Sequence, residues 1–516
     1  MASALKTTSI TAPAFYGLNT MDSEVTLDPK FARFAENCII DEGGRVASRK
    51  GWTYVAQTDP VSTVDLKGMH RFVDIDGSEY FGAWSDTGFY IKNGSDLDSV
   101  TYTNTPAVNT LTDGNWQAAT LNDAAYLFQR GYEPIYFNPT TGTLDDITTQ
   151  GKGTPPQANT VLSAYGRLWV ADTPTNKTTV YWSDLLDGAE WRSGTGTVGS
   201  LDISGILVYG NDEIVGLGAH NGRLIIFCKN NIIIMDDSSA GKQYLDPADM
   251  ALVEVISGIG CIARDSIVNT GTDILFLSES GVRALSRTIQ EKSQPMRDIS
   301  RNVRDTLVSQ TSRENADLIK ATHSDHYGFY ILTVPSDKTV YCFDTKMALQ
   351  DGSARVTRWN GLDHTSWLGF DGKLYMTNTQ GIAEYTGYQD NGTSYQMQYY
   401  TNYFNFQMPN IIKIVKNIGA TVFGATGQQF VAKVATDYED SYSSYTLTIS
   451  QGTPAEYNIA EYNTTAEYSS GAMVENIRIP AGGSGFVVQL GFESTINGGF
   501  LSIQQIDLYV KQGRLN

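Results

Sequence analysis

The chain has 516 residues, of which 41% are hydrophobic, 18% charged and 11% aromatic. This composition excludes a disordered or coiled-coil chain, and the length allows two or three domains, or one large repeat array with a smaller domain. The 37 basic and 56 acidic residues give a formal net charge of −19, which argues against affinity for the phosphate backbone of a nucleic acid.

The N-terminal segment MASALKTTSITAPAFYG lacks an apolar signal-peptide core, and no stretch approaches the length needed to span a bilayer. We therefore expect a soluble protein made in a cytoplasm, without membrane insertion. The four cysteines lie far apart and form no C-x-x-C pair, which predicts free, buried thiols. They are Cys38, Cys228, Cys261 and Cys342.

Residues 1–60 are predicted to form an N-terminal arm with a short helix. Asp28-Pro29 is a favoured start for a helix, and an apolar face follows at three- and four-residue spacing. That face comprises Phe31, Phe34, Ala35 and Cys38. Residues 30–50 of the arm are locally basic on an acidic protein, since Lys30, Arg33, Arg45, Arg49 and Lys50 stand against Glu36, Asp41 and Glu42.

Residues 61–390 contain a hairpin pattern that returns about every fifty residues. Each copy is an apolar run, a short polar turn and a second apolar run, which predicts two strands joined by a hairpin. The copies begin at residues 79, 124, 166, 222, 273, 326 and 372, with spacings of 45, 42, 56, 51, 53 and 46. This period predicts an all-β protein with a β-propeller of about seven blades, in a range of six to eight.

A helical insertion near 295–320 interrupts the repeats. Its apolar residues Ile299, Val303 and Leu307 have helical spacing. Three arginines lie off that face: Arg297, Arg301 and Arg304. Three interpretations remain open: a surface helix with solvated arginines, a contact with an acidic neighbouring subunit, or direct contact with phosphate.

Residues 391–516 have a different residue pattern from the repeats. Alternating aromatic and polar residues in YQMQYYTNYFNFQM, followed by further short apolar runs with Gly, Asn and Ser turns, indicate about seven strands. Seven short strands in this length are typical of a β-sandwich. The formal charge of this segment is 6 minus 9, or −3, so most of the acidity belongs to residues 1–390.

The sequence offers no motif for catalysis, metal binding or cofactor binding. His323 and His326 would point to opposite faces of an extended chain, and Asp76-Gly77 is typical of a hairpin turn rather than of a calcium loop. Ser85-Asp86-Thr87-Gly88 only partly matches the aspartate box of sialidase propellers. Two alternative functions remain open: paired carboxylates from distant blades would make a glycoside hydrolase, and exposed loop aromatics would suit a glycan-binding or receptor-binding propeller. A WD-type scaffold is disfavoured, because the G-H…W-D signature is missing from every copy of the repeat.

The chain resembles the tail hub, or nozzle, proteins of short-tailed bacteriophages, which include the packaged-DNA stabilisation proteins. One matching stretch has the pattern D-x-x-G-x-Φ-x-x-R-x-G, at Asp41, Gly44, Val46, Arg49 and Gly51. The others are IVGLGAHNGRLIIFCKNNIIIMD with ISGIGCIARDSIVNTGTDILFLSESGVRAL, and the helical interruption leading into LIKATHSDHYGFYILTVPSDKTVYCFD. The resemblance spans about residues 17–390.

This resemblance implies a structural virion protein without catalytic residues. Such proteins form six-fold rings beneath an adaptor ring and carry tail fibres or tip proteins, and DNA passes through their acidic lumen without specific binding. The resemblance thus implies a homohexamer in the virion tail, assembled in the host cytoplasm, that retains packaged DNA and conducts it on ejection. On this basis we expect Arg45, Arg49, Arg297, Arg301 and Arg304 to lie at subunit interfaces.

Overall fold

The computed structural model describes residues 5–513 except 75, 104–110, 112, 195, 208–211, 238–245, 292–297, 363, 426, 440 and 450–472. The chain is almost entirely β-structure, so the predicted all-β class is confirmed. Across the described residues, no helix has the length and apolar character required to cross a membrane.

Each of the seven hairpins predicted from the sequence forms the second and third strands of an antiparallel sheet of three or four strands, and the first, sixth and seventh of these are joined to further strands. In the second of these sheets, for example, Tyr126 pairs with Tyr136 across the hairpin. The first sheet comprises β7 (Gly68–Val73), β8 (Glu79–Trp84), β9 (Phe89–Asn93) and β10 (Asp96–Ser99). The second comprises β11 (Gln117–Leu121), β12 (Ala124–Phe128), β13 (Ile135–Asn138) and β14 (Thr143–Asp146). The third comprises β15 (Thr160–Ala164), β16 (Arg167–Ala171), β17 (Thr179–Trp182) and β18 (Gly199–Asp202).

The remaining sheets follow in chain order. The fourth comprises β19 (Ile214–His220), β20 (Arg223–Cys228), β21 (Asn231–Asp237) and β22 (Met250–Ser257). The fifth comprises β23 (Val268–Asn269), β24 (Ile274–Ser278) and β25 (Gly281–Ala284). The sixth comprises β26 (Lys320–Ser324), β27 (Phe329–Val334), β28 (Thr339–Asp344) and β29 (Arg355–Trp359). The seventh comprises β30 (Ser366–Phe370), β31 (Lys373–Asn378) and β32 (Gly381–Tyr385).

The sheets are arranged as a closed ring. The first strand of each sheet contacts the first strand of the next, and β30 of the last sheet contacts β7 of the first. The last sheet takes its fourth strand from the N-terminal part of the chain, because β6 (Trp52–Gln57) pairs with β32. The ring therefore begins before residue 61, and the pairing of β6 with β32 closes it.

The fifth sheet has three strands among the described residues, and a helical segment lies beside it. This segment contains α1 (Leu285–Glu291), a 3₁₀ turn at Arg301–Val303, α2 (Arg304–Thr311) and a 3₁₀ turn at Ala316–Leu318. The insertion lies where the sequence predicts it, as short pieces in place of a continuous helix. Val303 and Leu307 are fully buried, as their spacing predicts.

The N- and C-terminal regions together form two sheets that pack face to face. One contains β1 (Leu5–Thr11), β4 (Cys38–Ile40), β5 (Val46–Ser48), β34 (Lys413–Gly424), β37 (Met473–Pro480), β38 (Ser484–Gly485) and β40 (Leu501–Gln512). The other contains β2 (Gly17–Leu18), β3 (Phe31–Glu36), β33 (Tyr395–Thr401), β35 (Gln429–Thr436), β36 (Ser443–Thr448) and β39 (Val488–Ile496), and is continuous with the sixth blade. Ile418 and Leu508 of the first sheet share one apolar core with Phe430 and Phe492 of the second.

The predicted short helix after Asp28 is wrong, since residues 31–36 form strand β3. Asp28 instead caps a turn, because its carboxylate accepts a hydrogen bond from the backbone N–H of Lys30. Strand β3 contains a register shift between Ala32 and Phe34, so Ala32 and Ala35 are both buried although they are three residues apart. A β-bulge of this kind imitates helical spacing in the sequence. Residues 5–57 thus pair with both sheets and the ring and do not form a separate arm.

Candidate functional site

Arg49, predicted to lie at a subunit interface, is fully buried inside the chain. Its guanidinium forms a bidentate ion pair with Asp390, at 2.8 and 2.7 Å, and donates to the side chain of Asn37 at 2.9 Å. It also lies over the ring of Tyr395, 4.0 Å from the centroid. The interface assignment of Arg49 is therefore wrong, because a planar guanidinium satisfied on every side by its own chain has no surface to offer a neighbour.

Asp41, the first position of the D-x-x-G-x-Φ-x-x-R-x-G stretch, also has a structural role, which involves Arg45. Asp41 accepts hydrogen bonds from the backbone N–H of Arg45 at 2.9 Å and from its Nε at 2.7 Å, which fixes the turn between β4 and β5. The Arg45 guanidinium lies 4.7 Å from the ring centroid of Phe423 in the sandwich. Arg45 thus remains partly exposed while its charge is already paired.

The arginines of the helical segment differ from Arg49. Arg301 pairs with Asp351 and Arg304 with Asp305, and the two side chains keep 43% and 32% of their surface exposed. Arg297 lies outside the described residues. Because Val303 and Leu307 of the same segment are buried, this segment turns an apolar side inward and holds the two described guanidinium groups at the surface.

A buried polar network lies on the ring axis. Arg264 pairs bidentately with Asp265, at 2.9 and 2.8 Å, just before the first strand of the fifth blade. Its Nη1 donates to the Asn159 carbonyl at 2.6 Å, and its Nη2 also donates to the Asn115 side chain at 2.8 Å, in the loops that lead into the third and second blades. Lys320, at the start of the sixth blade, also pairs with Asp265.

The charges of this network stabilise one another in a largely buried site, where the side chains of Lys320 and Asp265 keep 14% and 17% of their surface exposed. Burial by itself raises the pKa of Asp265, but the charges of Arg264 and Lys320 outweigh it and hold that pKa well below its usual range. Burial lowers the pKa of Lys320, and Asp265 opposes that shift. One carboxylate and two cations thus connect residues from four blades at this end of the ring.

Outside the network lies a cavity of about 420 Å³ at the mouth of the axis. Its lining comes from the loops that precede the first strands and from the turns between second and third strands, as at Lys67, Asn115 and Pro335. Lys67 pairs with Asp65 at 2.7 Å and lies 3.9 Å from Asp86. The mouth therefore carries both signs of charge close to the apolar surface of Leu318 and Pro335.

The titratable groups singled out by sequence are dispersed. His323 pairs with Asp325 at 3.0 Å, and no group of three or more His, Cys, Asp or Glu residues that could hold a metal occurs in the described part of the chain. Asp76-Gly77 lies in the turn between β7 and β8, as predicted. Sequence reasoning missed the axial network, although the charged pair Arg264-Asp265 within the apolar stretch GCIARDSIV was a signal for it.

No family model and no curated protein matches this chain. Solved structures that match include PorZ, a surface component of the type-IX secretion system of Porphyromonas gingivalis, at 11% identity and a TM-score of 0.32, over 64% of this chain and 37% of PorZ. Another is the extracellular domain of a hybrid two-component system of B. thetaiotaomicron, at 11% identity and a TM-score of 0.25, over 68% of this chain and 57% of that one. Likeness at this level carries no inference about function.

Proposed function

We propose that this chain is a structural subunit of a bacteriophage tail, a nozzle or hub protein that assembles into a homohexameric ring below an adaptor ring. In this role it continues the portal channel, helps to retain packaged DNA and conducts it on ejection, and it carries tail fibres or tip proteins. The observation that carries the proposal is the helical segment 298–313, which presents Arg301 and Arg304 at the surface of a chain with a net charge of −19.

Copies of an acidic protein repel one another unless their contacts are locally complementary. A pair of partly exposed arginines held on a buried apolar base offers such complementarity, because the acidic surface of the next copy can replace their surface ion pairs with Asp351 and Asp305. A contact between different patches on successive copies generates a closed ring when the rotation between them closes.

The proposal is tested by reversing these charges. We expect wild-type protein to assemble into multiples of its 56.5 kDa mass, measured by light scattering across a concentration series. The double variant Arg301→Glu/Arg304→Glu should remain monomeric, since exposed ion pairs contribute little to folding but the contact would be repulsive. Lys92→Glu/Lys338→Glu, which makes the same change of charge on two hairpins, should assemble normally. Equal assembly of both double variants would contradict the assignment of the interface.

A further inference from the structure

A small cleft lies where the ring, the N-terminal strands and the sandwich meet. We call it the junction cleft; its volume is about 220 Å³. Its walls come from five separate parts of the chain, which include the β4–β5 hairpin, the turn before β27, the segment after β32, β34 and the turn before β40. Pockets for drug-sized ligands measure roughly 300–1,000 Å³, so this cleft suits a smaller molecule of about one ring.

Aromatic side chains form most of its apolar surface. Tyr388 and Phe500 face each other with ring centroids 6.0 Å apart, and Tyr327 meets Tyr385 edge to face at 5.5 Å. Phe423 completes the wall beneath Arg45. Tyr388, Phe500 and Tyr327 are each half-buried, so their rings are held in place while part of each surface remains free to pack on a ligand.

The cleft also contains a cation without an acidic partner. The ammonium group of Lys50 donates a hydrogen bond to the phenol oxygen of Tyr327 at 3.0 Å and lies 4.9 Å from the centroid of that ring. Among the described residues, no carboxylate lies within ion-pair distance of it. Arg45 differs, because its charge is neutralised by Asp41 at 2.7 Å. An ammonium group in an aromatic cleft favours an anionic group on the ligand.

Asp41 supplies the complementary hydrogen-bond acceptor. Its carboxylate lines the cleft and holds Arg45, and the hydroxyl of Ser502 lies 3.4 Å from it. An ionised carboxylate has about four acceptor positions, of which the backbone N–H and Nε of Arg45 and the Ser502 hydroxyl occupy three, so it can also accept from one hydroxyl group of a ligand. The cleft thus combines apolar ring faces, one unpaired cation and one hydroxyl acceptor.

We propose that the junction cleft binds a single acidic pyranose unit of a glycan. The ligand's carboxylate pairs with Lys50, the apolar face of the sugar ring packs on Tyr388 and Phe500, and one of its hydroxyls donates to Asp41. A neutral sugar would leave the ammonium group without an anion, so the cleft discriminates in favour of acidic sugars. This binding does not depend on ring assembly, since every lining residue belongs to one chain.

The test is a saturation-transfer NMR titration of the full-length protein with glucuronic acid, and with glucose as the matched neutral probe. We expect saturable glucuronic acid binding with a Kd on the order of millimolar, and binding of glucose at least several-fold weaker. Lys50→Met should weaken glucuronic acid binding about tenfold and leave glucose unchanged, whereas Lys92→Met should behave as wild type.

A second variant separates a binding role from a folding role. Phe500→Leu, in the turn before β40, should weaken both sugars while the thermal midpoint changes little. Absence of saturable glucuronic acid binding to wild type would overturn the proposal, as would equal affinity in Lys50→Met. If Lys50→Met fails to fold, unchanged affinity in Phe500→Leu overturns it instead.

Discussion

Arg49 and Asp390 lie 341 residues apart in sequence and form a fully hydrogen-bonded bidentate ion pair, at 2.8 and 2.7 Å. Arg49 follows the last strand of the N-terminal hairpin, and Asp390 lies in the segment between the ring and the sandwich. Tyr395, the first residue of β33, covers the guanidinium and donates its hydroxyl to the Arg49 carbonyl. One pair therefore connects the three parts of the fold.

Removing one partner of this pair should strongly destabilise the protein. Breaking a buried ion pair costs about 3–5 kcal/mol, because it leaves an uncompensated charge. We expect Arg49→Met to lower the free energy of unfolding by that amount in urea titrations, and the double variant Arg49→Met/Asp390→Leu to recover part of it. A loss below about 1 kcal/mol for Arg49→Met would show that the pair is not isolated from water.

His364 should make stability depend on pH. Its Nδ1–H donates to the Leu362 carbonyl, and its Nε2 accepts from the Thr333 hydroxyl at 2.9 Å. Burial lowers its pKa to about 4, the Leu362 carbonyl opposes that shift, and the charge of Arg49 lowers the pKa further. The unfolded chain takes up a proton on this histidine near pH 6.5, but the folded chain does so only near pH 4.

Stability should therefore fall as the pH falls from about 6.5 to about 4, by about 3 kcal/mol from this residue at about 1.4 kcal/mol per pKa unit. Urea titrations of wild type and His364→Gln at pH 7 and 4.5 measure this contribution as their difference in slope. His326→Gln, at an exposed turn, is the control. Parallel pH profiles for wild type and His364→Gln would contradict the prediction.

Gly51 is required by a close approach of two backbones. A β-carbon at this position would lie 1.9 Å from the carbonyl oxygen of Gln389. We expect Gly51→Ala to lower the free energy of unfolding by more than about 2 kcal/mol, since the backbone must move. Gly205 has nothing within 4 Å of its added β-carbon, so Gly205→Ala should change stability by less than about 1 kcal/mol, and toward stabilisation. Similar losses for the two variants would contradict this reading of Gly51.

The four cysteines should be inert in the folded protein. All are free and buried, and burial raises the pKa of Cys261 to about 11, although hydrogen bonds from Ser266 and nearby backbone oppose it. The thiolate is the reactive form, so we expect negligible reaction with a disulfide reagent at pH 8 and four equivalents after unfolding in urea. Rapid reaction of one thiol in native buffer would contradict the buried arrangement.

The sequence predicts well what depends on neighbouring residues. The seven hairpins follow from short apolar runs and turns such as Asp76-Gly77, because a hairpin is a local structure. The apolar face of Val303 and Leu307 was also visible, since burial of one side of a helix leaves a periodic pattern.

Long-range contacts were not visible in the same way. Arg49 reads as a basic surface residue because its partner Asp390 is 341 positions away. The network of Arg264, Asp265 and Lys320 depends on ring closure, which brings four loops to one axis. The helix predicted after Asp28 is wrong because the bulge in β3 gives its buried residues helical spacing, and only pairing with β33 defines this segment as a strand.

The most direct test of the central claim is electron microscopy of the purified protein by negative staining at high concentration, with mass from light scattering. The account predicts six-fold rings with a central opening between subunits and a mass of six chains. Single particles of one chain at every concentration, with and without an adaptor ring, would contradict it.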